Sequence, residues 1–340
     1  MKGKFIKTTL ATAFLLAGTL CFFGCSQEQK NEENTLINVS YDPTRELYSN
    51  YNHVFMQHWK KKTGKDVKIL QFHGGSGKQA LEIVNGLEAD VVTLALENDI
   101  NIVQDAGLID KGWIKEFPHN SAPYTSTIVF LVRKGNPKKI KDWNDLIKDS
   151  IGIITPNPKT SGGARWNYLA AWAYAEKLYN GDESKITEFI KKLYKNVQDL
   201  STGARGSTNK FIEEHQGDVL LSWENEAFLA IKGYPNDYEI IMPSISILAE
   251  PPVAIVDKIV KKRGTRELAT EYLNYLYSDE GQQIAAKHHY RPSNKAIFDQ
   301  SKEFDQNINL ITIEHFGGWE KTQSKHFADG GIFDQIYEKK

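Results

Sequence analysis

Leu36-Ile37-Asn38-Val39-Ser40 opens the stretch that decides the fold, because it begins an alternation of short apolar runs and longer amphipathic segments. The alternation continues through Thr44 to Thr63, Val67 to Phe72, Lys78 to Leu87 and Asp90 to Leu96. The short runs are typical of strands and the longer segments of helices, which gives the order βαβαβ. This order predicts an α/β fold whose sheet is mixed but mostly parallel, with ligands bound beyond the carboxyl ends of the strands.

A second α/β unit follows in the middle of the chain. Its predicted strands and helices are Ser126 to Val132, Ile151 to Thr155, Ala164 to Leu178, Lys185 to Lys195 and Asp218 to Trp223. The strand and helix pattern of the first unit then returns, with an apolar run at Val253 to Val256 and predicted helices near Arg266 to Tyr277 and Glu280 to His288.

Two proline-bearing stretches mark the crossings between these units, around His119 to Tyr124 and around Ser244 to Pro252. We therefore expect lobe 1 to comprise residues 36–121 and 248–340, and lobe 2 to comprise residues 122–247. Two crossing strands would form a hinge, and the cleft between the lobes is the expected place for a small ligand.

The N-terminus is typical of an export signal. Lys2, Lys4 and Lys7 precede an apolar stretch from Leu10 to Phe23. The stretch is too short for an ordinary membrane-spanning helix, so we expect residues 1–24 to be cleaved and residues 25–35 to form a polar tether.

Phe22-Phe23-Gly24-Cys25 resembles a bacterial lipobox, in which the cysteine is lipidated, although Phe22 departs from the usual aliphatic residue. The alternative is an ordinary cleavage site with Cys25 as an incidental thiol. Cys21 lies inside the signal, so the mature chain keeps one cysteine and can form no internal disulfide.

Composition excludes several classes of function. The 42 basic and 43 acidic residues give a net charge of -1, which supplies no field to attract nucleic acid. The nine histidines lack metal-ligand spacing, and no Gly-x-Ser-x-Gly motif marks a nucleophile. We predict no metal site, no cofactor and no catalytic residue.

Three junctions between a strand and a helix are rich in small residues: Tyr41 to Thr44, His73 to Lys78 and Asn157 to Arg165. Each one alone can be a helix cap or a glycine turn. The second resembles a phosphate loop, but Phe72 stands where the first glycine is needed and Gln79 where Ser or Thr is needed. Nucleotide binding is therefore rejected there.

Taken together, the junctions aim several helix starts at one cleft and build a cage of hydrogen-bond donors around a compact anion. Sulfate offers only acceptor oxygens at neutral pH, whereas phosphate keeps a proton that needs a protein acceptor. A cage of donors alone would select sulfate because phosphate would leave that proton without a partner.

Seven longer segments are distinctive: Val39 to Tyr48, His73 to Ala80, Asn157 to Arg165, Ser121 to Thr127, Gly203 to Thr208, Ser222 to Glu226 and Phe316 to Trp319. They resemble segments of periplasmic sulfate-binding proteins, which belong to the two-lobed solute-binding proteins of ABC transporters. The resemblance covers nearly the whole mature chain and implies a periplasmic-binding-protein fold of the type II kind. It also implies high-affinity binding of sulfate and delivery to a membrane permease.

In that family backbone amides, one serine hydroxyl and one indole nitrogen hold the buried dianion, and no counter-ion touches it. The resemblance implies amides from Asp42 and Ser76 in lobe 1. In lobe 2 it implies a donor set of the amides of Gly162, Gly163 and Ala204, the hydroxyl of Ser161 and the indole N–H of Trp223.

Several of these residues are also compatible with purely structural roles. A tryptophan at the end of an apolar strand, as at Trp223, is often a core residue. We expect Arg165 and Arg205 either to hold loop carbonyls or damp charge behind the ligand, or to be surface or helix-capping arginines. The carboxylate of Asp42 would repel sulfate unless it turns away, so only its amide is expected to contribute.

We expect a monomeric protein in the periplasm or on the outer face of the cell membrane, with the lipid anchor at Cys25 that the lipobox indicates. Thiosulfate or another tetrahedral oxyanion such as molybdate remains an alternative ligand. An exported sulfate or phosphate ester hydrolase is a further alternative, with Ser161 as its only candidate nucleophile.

Overall fold

The structure is a computed structural model that describes residues 35–337. The predicted signal, Cys25 and all but the last residue of the predicted tether lie outside the described residues.

The strands follow the predicted order and add several that sequence patterns did not indicate. They are β1 (Thr35–Tyr41), β2 (Lys68–Gly74), β3 (Val91–Thr93), β4 (Tyr124–Thr125), β5 (Ile128–Arg133), β6 (Ile153–Pro156), β7 (Val197–Ser201), β8 (Val219–Trp223), β9 (Tyr238–Ile241), β10 (Ser246–Ile247), β11 (Val253–Ile255), β12 (Arg291–Pro292) and β13 (Leu310–Ile311).

The helices occupy most of the segments between the strands. They are α1 (Arg45–Thr63), α2 (Ser76–Val84), α3 (Glu97–Asp105), α4 (Pro118–Ser121), α5 (Gly162–Leu178), α6 (Glu183–Lys195), α7 (Ala204–Ile212), α8 (Glu224–Gly233), α9 (Asp257–Arg263), α10 (Arg266–Tyr275), α11 (Asp279–Lys287), α12 (Lys295–Gln300), α13 (Trp319–Thr322) and α14 (Ile332–Ile336).

Two principal sheets form the centres of the two lobes. Lobe 1 contains the order β11-β3-β1-β2, in which β1 is parallel to both β2 and β3 and β11 is antiparallel to β3. Lobe 2 contains the order β7-β6-β8-β5-β9, in which β6 is parallel to β7 and β8 while β5 is antiparallel to β8 and β9. The predicted α/β class with mixed sheets is confirmed.

Helices pack through apolar residues on both faces of each sheet. In lobe 1, α1 and α10 bury Tyr51 and Tyr272 in one cluster, while α2 and α3 bury Ile83 and Ile100 in another. In lobe 2, α5 and α6 pack on one side, whereas α7 and α8 pack on the other through residues such as Phe211. This layering leaves the carboxyl ends of the parallel strands free to face the cleft.

The two predicted crossings lie side by side. Ser126 and Ala249 form an antiparallel bridge, with each backbone N–H donating to the other residue's carbonyl at 2.9 Å. Strand β4 also pairs with β12, which ties the first crossing to lobe 1. The paired crossings have the geometry of a two-strand hinge.

The end of the chain packs on α5, although the sequence pattern assigned residues 248–340 to lobe 1. Trp319 meets the ring of Trp166 edge-on at 4.7 Å, and Phe327 and Phe333 contact Tyr168 at 5.1 and 6.2 Å between ring centroids. These aromatic side chains belong to the same buried cluster as α5 and α6. They bury the end of the chain against α5.

Among residues 35–337, no helix is long and apolar enough to cross a membrane.

Candidate functional site

Several helix starts converge on one small cavity between the sheets. Helices α2, α5 and α7 begin there, a 3-10 turn over Asp42–Thr44 follows β1, and α8 begins directly after Trp223. The cavity is lined by Tyr41, Asp42, Pro43, Gly74, Gly75, Ser76, Ser161, Gly163, Ala204 and Trp223. The first N–H groups of a helix have no partner inside that helix, so they are available to a ligand.

The cavity brings together most of the residues that the sequence indicated. Asp42, Ser76, Ser161, Gly163, Ala204 and Trp223 all line it. Gly162 is the first residue of α5 and is not among the lining residues. A side chain there would place its Cβ only 2.7 Å from the Cβ of Ala95, so Gly162 lies where lobe 2 touches lobe 1.

Trp223 ends β8 with its indole ring almost fully buried. Its Nε1–H has no hydrogen-bond partner among residues 35–337, and Nε1 occupies the space that a Cβ on Gly163 would need. Tyr41 packs against the indole at 5.3 Å between ring centroids. Buried donors in native proteins are nearly always paired, so this N–H marks a position for an acceptor that residues 35–337 do not supply.

The two serines at the cavity also keep donors available. Ser161 caps α5 by accepting the N–H of Ala164 at 3.4 Å, and Ser76 accepts the N–H of Ala95 at 2.9 Å. Because each hydroxyl oxygen acts as an acceptor in these bonds, its proton remains available for donation.

The carboxylate of Asp42 points to the start of α7. It lies against Gly203, and its Oδ1 is 3.4 Å from a guanidinium nitrogen of Arg45. Burial raises the pKa of Asp42, while Arg45, Arg205 and the backbone N–H of Arg205 lower it. The side chain of Asp42 is therefore engaged with Gly203 and Arg45, while its backbone amide is the first of the 3-10 turn.

Arg165 and Arg205 lie behind the cavity, where carboxylates match their charges. Arg165 donates to the carbonyl of Pro158 at 2.9 Å and to Asp99 Oδ1 at 3.1 Å, and it is almost fully buried. Neither arginine lines the cavity. Arg165 therefore both holds a loop carbonyl and forms an ion pair across the cleft.

Arg205 makes a second ionic network. It donates to both carboxylate oxygens of Glu46 at 2.9 and 2.8 Å and to Glu226 at 2.9 Å. Burial raises the pKa of Glu226, and the neighbouring Arg205 opposes that rise. Two carboxylates thus balance one guanidinium, which leaves no excess positive charge from Arg205 for the cavity.

His73 is a further group near this site, at the end of β2. Its Nδ1 lies 3.3 Å from the carbonyl of Tyr41 and 3.4 Å from the hydroxyl of Thr44. Burial lowers the pKa of His73 to about 4, so its ring is uncharged at neutral pH.

Sequence reasoning gave no ligand role to Tyr41, Pro43, Gly74 and Gly75, which also line the cavity. Gly75 has a particular constraint: an added Cβ would lie 2.6 Å from the carbonyl oxygen of Thr202 and 2.7 Å from that of Thr160. Both carbonyls belong to lobe 2. The glycines after β2 are visible in the sequence, but the sequence does not show that Gly75 faces the carbonyls of Thr202 and Thr160 across the cleft.

Further polar contacts join the lobes around the cavity. Asn225 donates to the carbonyl of Pro43 at 3.1 Å, and Arg291 forms a buried pair of hydrogen bonds with Glu224 at 2.7 and 2.8 Å. These contacts, together with Arg165–Asp99, describe a closed cleft.

Residues 45–291 match the family described as bacterial extracellular solute-binding protein. The chain belongs to that family. This solute-binding protein is 60% identical over 306 residues to the sulfate-binding protein of Escherichia coli strain K12, covering 89% of this chain and 93% of the relative. It is 46% identical over 331 residues to a thiosulfate-binding protein of Pseudomonas aeruginosa, covering 96% and 98% of the two chains.

A solved structure extends the comparison to the fold. The sulfate-binding protein SubI from Mycobacterium tuberculosis H37Rv matches this solute-binding protein with a TM-score of 0.77 at 30% identity, over 86% of this chain and 99% of SubI. The fold is therefore that of the periplasmic binding proteins, as predicted.

Gly75→Ala tests whether this closed cleft is the ligand-bound form. Gly75 has φ -61° and ψ 130°, which alanine adopts readily, so the substitution leaves each lobe unstrained. In the closed form the added methyl group would overlap two backbone carbonyls of lobe 2. We expect calorimetry to show sulfate affinity weakened by roughly five- to 150-fold, which corresponds to an overpacking cost of roughly 1–3 kcal/mol, with thermal unfolding of the anion-free protein unchanged.

Gly77→Ala is the matched control, because the nearest atom to its added Cβ is 3.5 Å away, an ordinary contact distance. Equal affinities for the two variants would contradict the role of Gly75 in closure.

Proposed function

We propose that this chain binds sulfate outside the cytoplasm and delivers it to the membrane permease of an ABC transporter. The observation that carries the proposal is the buried indole N–H of Trp223, which has no acceptor within residues 35–337 and faces a small cavity. The high identity to sulfate-binding proteins supports the same ligand.

The donor set favours a compact oxyanion. We assign the ligand to the amides of Asp42, Ser76, Gly162, Gly163 and Ala204, the hydroxyl of Ser161 and the indole N–H of Trp223. The helix starts add their dipoles, which favour negative charge. Hydrogen bonds to a charged ligand contribute about 1.5–3 kcal/mol each, so several of them offset the desolvation of a dianion.

Selection against phosphate follows from the scarcity of acceptors. Monohydrogen phosphate carries a proton that would need an oxygen acceptor inside the cage. Asp42 lines the cavity, but its carboxylate is turned to Gly203 and Arg45 and is occupied there. Phosphate would therefore bind with an unsatisfied donor or not at all.

Closure of the two lobes would bury the ligand and create the form that the permease recognises. We assign residues 36–121 and 248–309 to lobe 1, and residues 122–247 and 310–337 to lobe 2, because the end of the chain packs on α5. The paired crossings near Ser126 and Ala249 would act as the hinge. The protein is expected to work as a monomer.

Thiosulfate is the second candidate ligand, because a relative at 46% identity is a thiosulfate-binding protein. It presents similar oxygens to the same donors. Ester hydrolysis is disfavoured, since Ser161 caps α5 and the uncharged ring of His73 is occupied with Tyr41 and Thr44. We infer that the protein is not an enzyme.

Calorimetric titration of the signal-free protein with sulfate, thiosulfate, phosphate and molybdate tests the function after removal of bound anion. We expect one-to-one sulfate binding with phosphate silent, and an affinity at least about tenfold weaker in Trp223→Phe because one charge-assisted hydrogen bond is lost. Phosphate binding as tight as sulfate binding would contradict the cage of donors. Unchanged sulfate affinity in Trp223→Phe would remove that residue from the site.

We also propose that the signal directs export and that a lipid on Cys25 anchors the mature protein in the periplasm or at the outer face of the cell membrane. Mass spectrometry of the mature N-terminus tests this directly. A diacylglyceryl mass on Cys25 is expected, and an unmodified thiol at that residue would refute the anchor.

A further inference from the structure

One hydrogen bond joins the two lobes outside the cage of donors. The indole Nε1 of Trp166, on α5 of lobe 2, donates to the carbonyl of Ala95 at 3.0 Å. Ala95 follows β3 of lobe 1, and both residues are completely buried. Neither residue lines the cavity, so this bond can form without a ligand.

Ala95 lies between the helix starts that the two lobes bring to the cavity. Its N–H donates to Ser76 Oγ at 2.9 Å, at the first residue of α2. On the other side, Gly162 at the start of α5 approaches Ala95 so closely that an added Cβ would meet the alanine Cβ at 2.7 Å. The bond from Trp166 therefore fixes the position of α5 relative to α2.

The end of the chain holds the Trp166 indole in place. Trp319, only 3% exposed, packs edge-on against it at a ring separation of 4.7 Å and an interplanar angle of 82°. The preceding Gly317 and Gly318 have φ values of 82° and 86°, which favour glycine and let α13 begin at Trp319. The segment after β13 thus packs against Trp166, the residue that donates a hydrogen bond to lobe 1.

The same terminal segment also contacts the loop that presents Ser161. Lys159 Nζ donates to the carbonyl of Phe327 at 3.0 Å and to Asp334 Oδ2 at 2.8 Å. The terminal segment is therefore connected both to the loop before α5 and to the first turns of α5.

We propose that Trp166 is a positioning residue that stabilises the closed form through its hydrogen bond to Ala95, with Trp319 fixing the orientation of the indole. The inference rests on the proposed function, because closure is taken to bury the anion. A bond that exists only in the closed form shifts the equilibrium toward that form, whichever anion is bound. Its loss should act mainly on the rate of ligand release, since release requires opening.

Trp166→Phe removes the donor and keeps an aromatic ring against Trp319. Loss of a neutral buried hydrogen bond corresponds to a change of about three- to tenfold in an equilibrium constant. We expect stopped-flow measurements to show sulfate release faster by about that factor, with the association rate changed less than about twofold.

Trp143→Phe is the matched control. Its indole Nε1 donates to the carbonyl of Ile245 at 2.8 Å, and its ring is also fully buried, but both residues lie within residues 122–247. This control loses an equivalent hydrogen bond without affecting the contact between lobes, so its sulfate release rate should equal that of the wild type. Thermal unfolding of both variants measures the general cost in stability.

Trp319→Phe provides a second variant, which retains the Trp166 donor but loosens the ring that packs against it. We expect a smaller increase in the release rate. Wild-type release rates in both Trp166→Phe and Trp319→Phe, or an equal increase in Trp143→Phe, would overturn the inference and leave sulfate binding intact. Failure of the wild-type protein to bind sulfate would overturn the proposed function and this inference together.

Discussion

The arrangement of the site depends on donors that are buried without acceptors. Leaving such a group unpaired costs about 1–3 kcal/mol, and the indole N–H of Trp223 has no partner within the described residues 35–337, so another interaction must offset this cost. Only glycine fits at positions 75 and 163. Backbone carbonyls occupy the space that a side chain at position 75 would need, and the indole of Trp223 occupies that space at position 163. We infer that an oxyanion supplies the missing acceptors and closes the lobes around itself.

The guanidinium charges of Arg165 and Arg205 lie behind the cavity, which neither residue lines. Arg165 is paired with Asp99, and Arg205 is paired with Glu46 and Glu226. The ligand's charge would therefore be stabilised by oriented peptide dipoles, which are fixed before binding and need little reorganisation. The Arg165–Asp99 and Arg205–Glu46 pairs cross between the two lobes, so they align the helix starts around the cavity.

Much of the fold and site follows from local patterns. The alternation from Leu36 to Leu96 predicted the order of elements, and small residues after strands predicted which helix starts meet, including Ser161 and Gly163. Long-range contacts left no comparable signal. The packing of Trp319 on Trp166 joins residues far apart in sequence, and a tryptophan ending a strand, such as Trp223, has the same pattern whether it is a core residue or a donor.

The most direct test of anion binding by the unpaired indole is the N–H resonance of Trp223 in protein labelled with ¹⁵N-tryptophan, assigned by its loss in Trp223→Phe. Addition of sulfate should shift this proton strongly downfield in a one-to-one titration, because the donor gains a charged acceptor. Addition of phosphate should leave it unmoved. Saturation with sulfate without any change in that resonance would contradict the claim that the unpaired indole holds the anion.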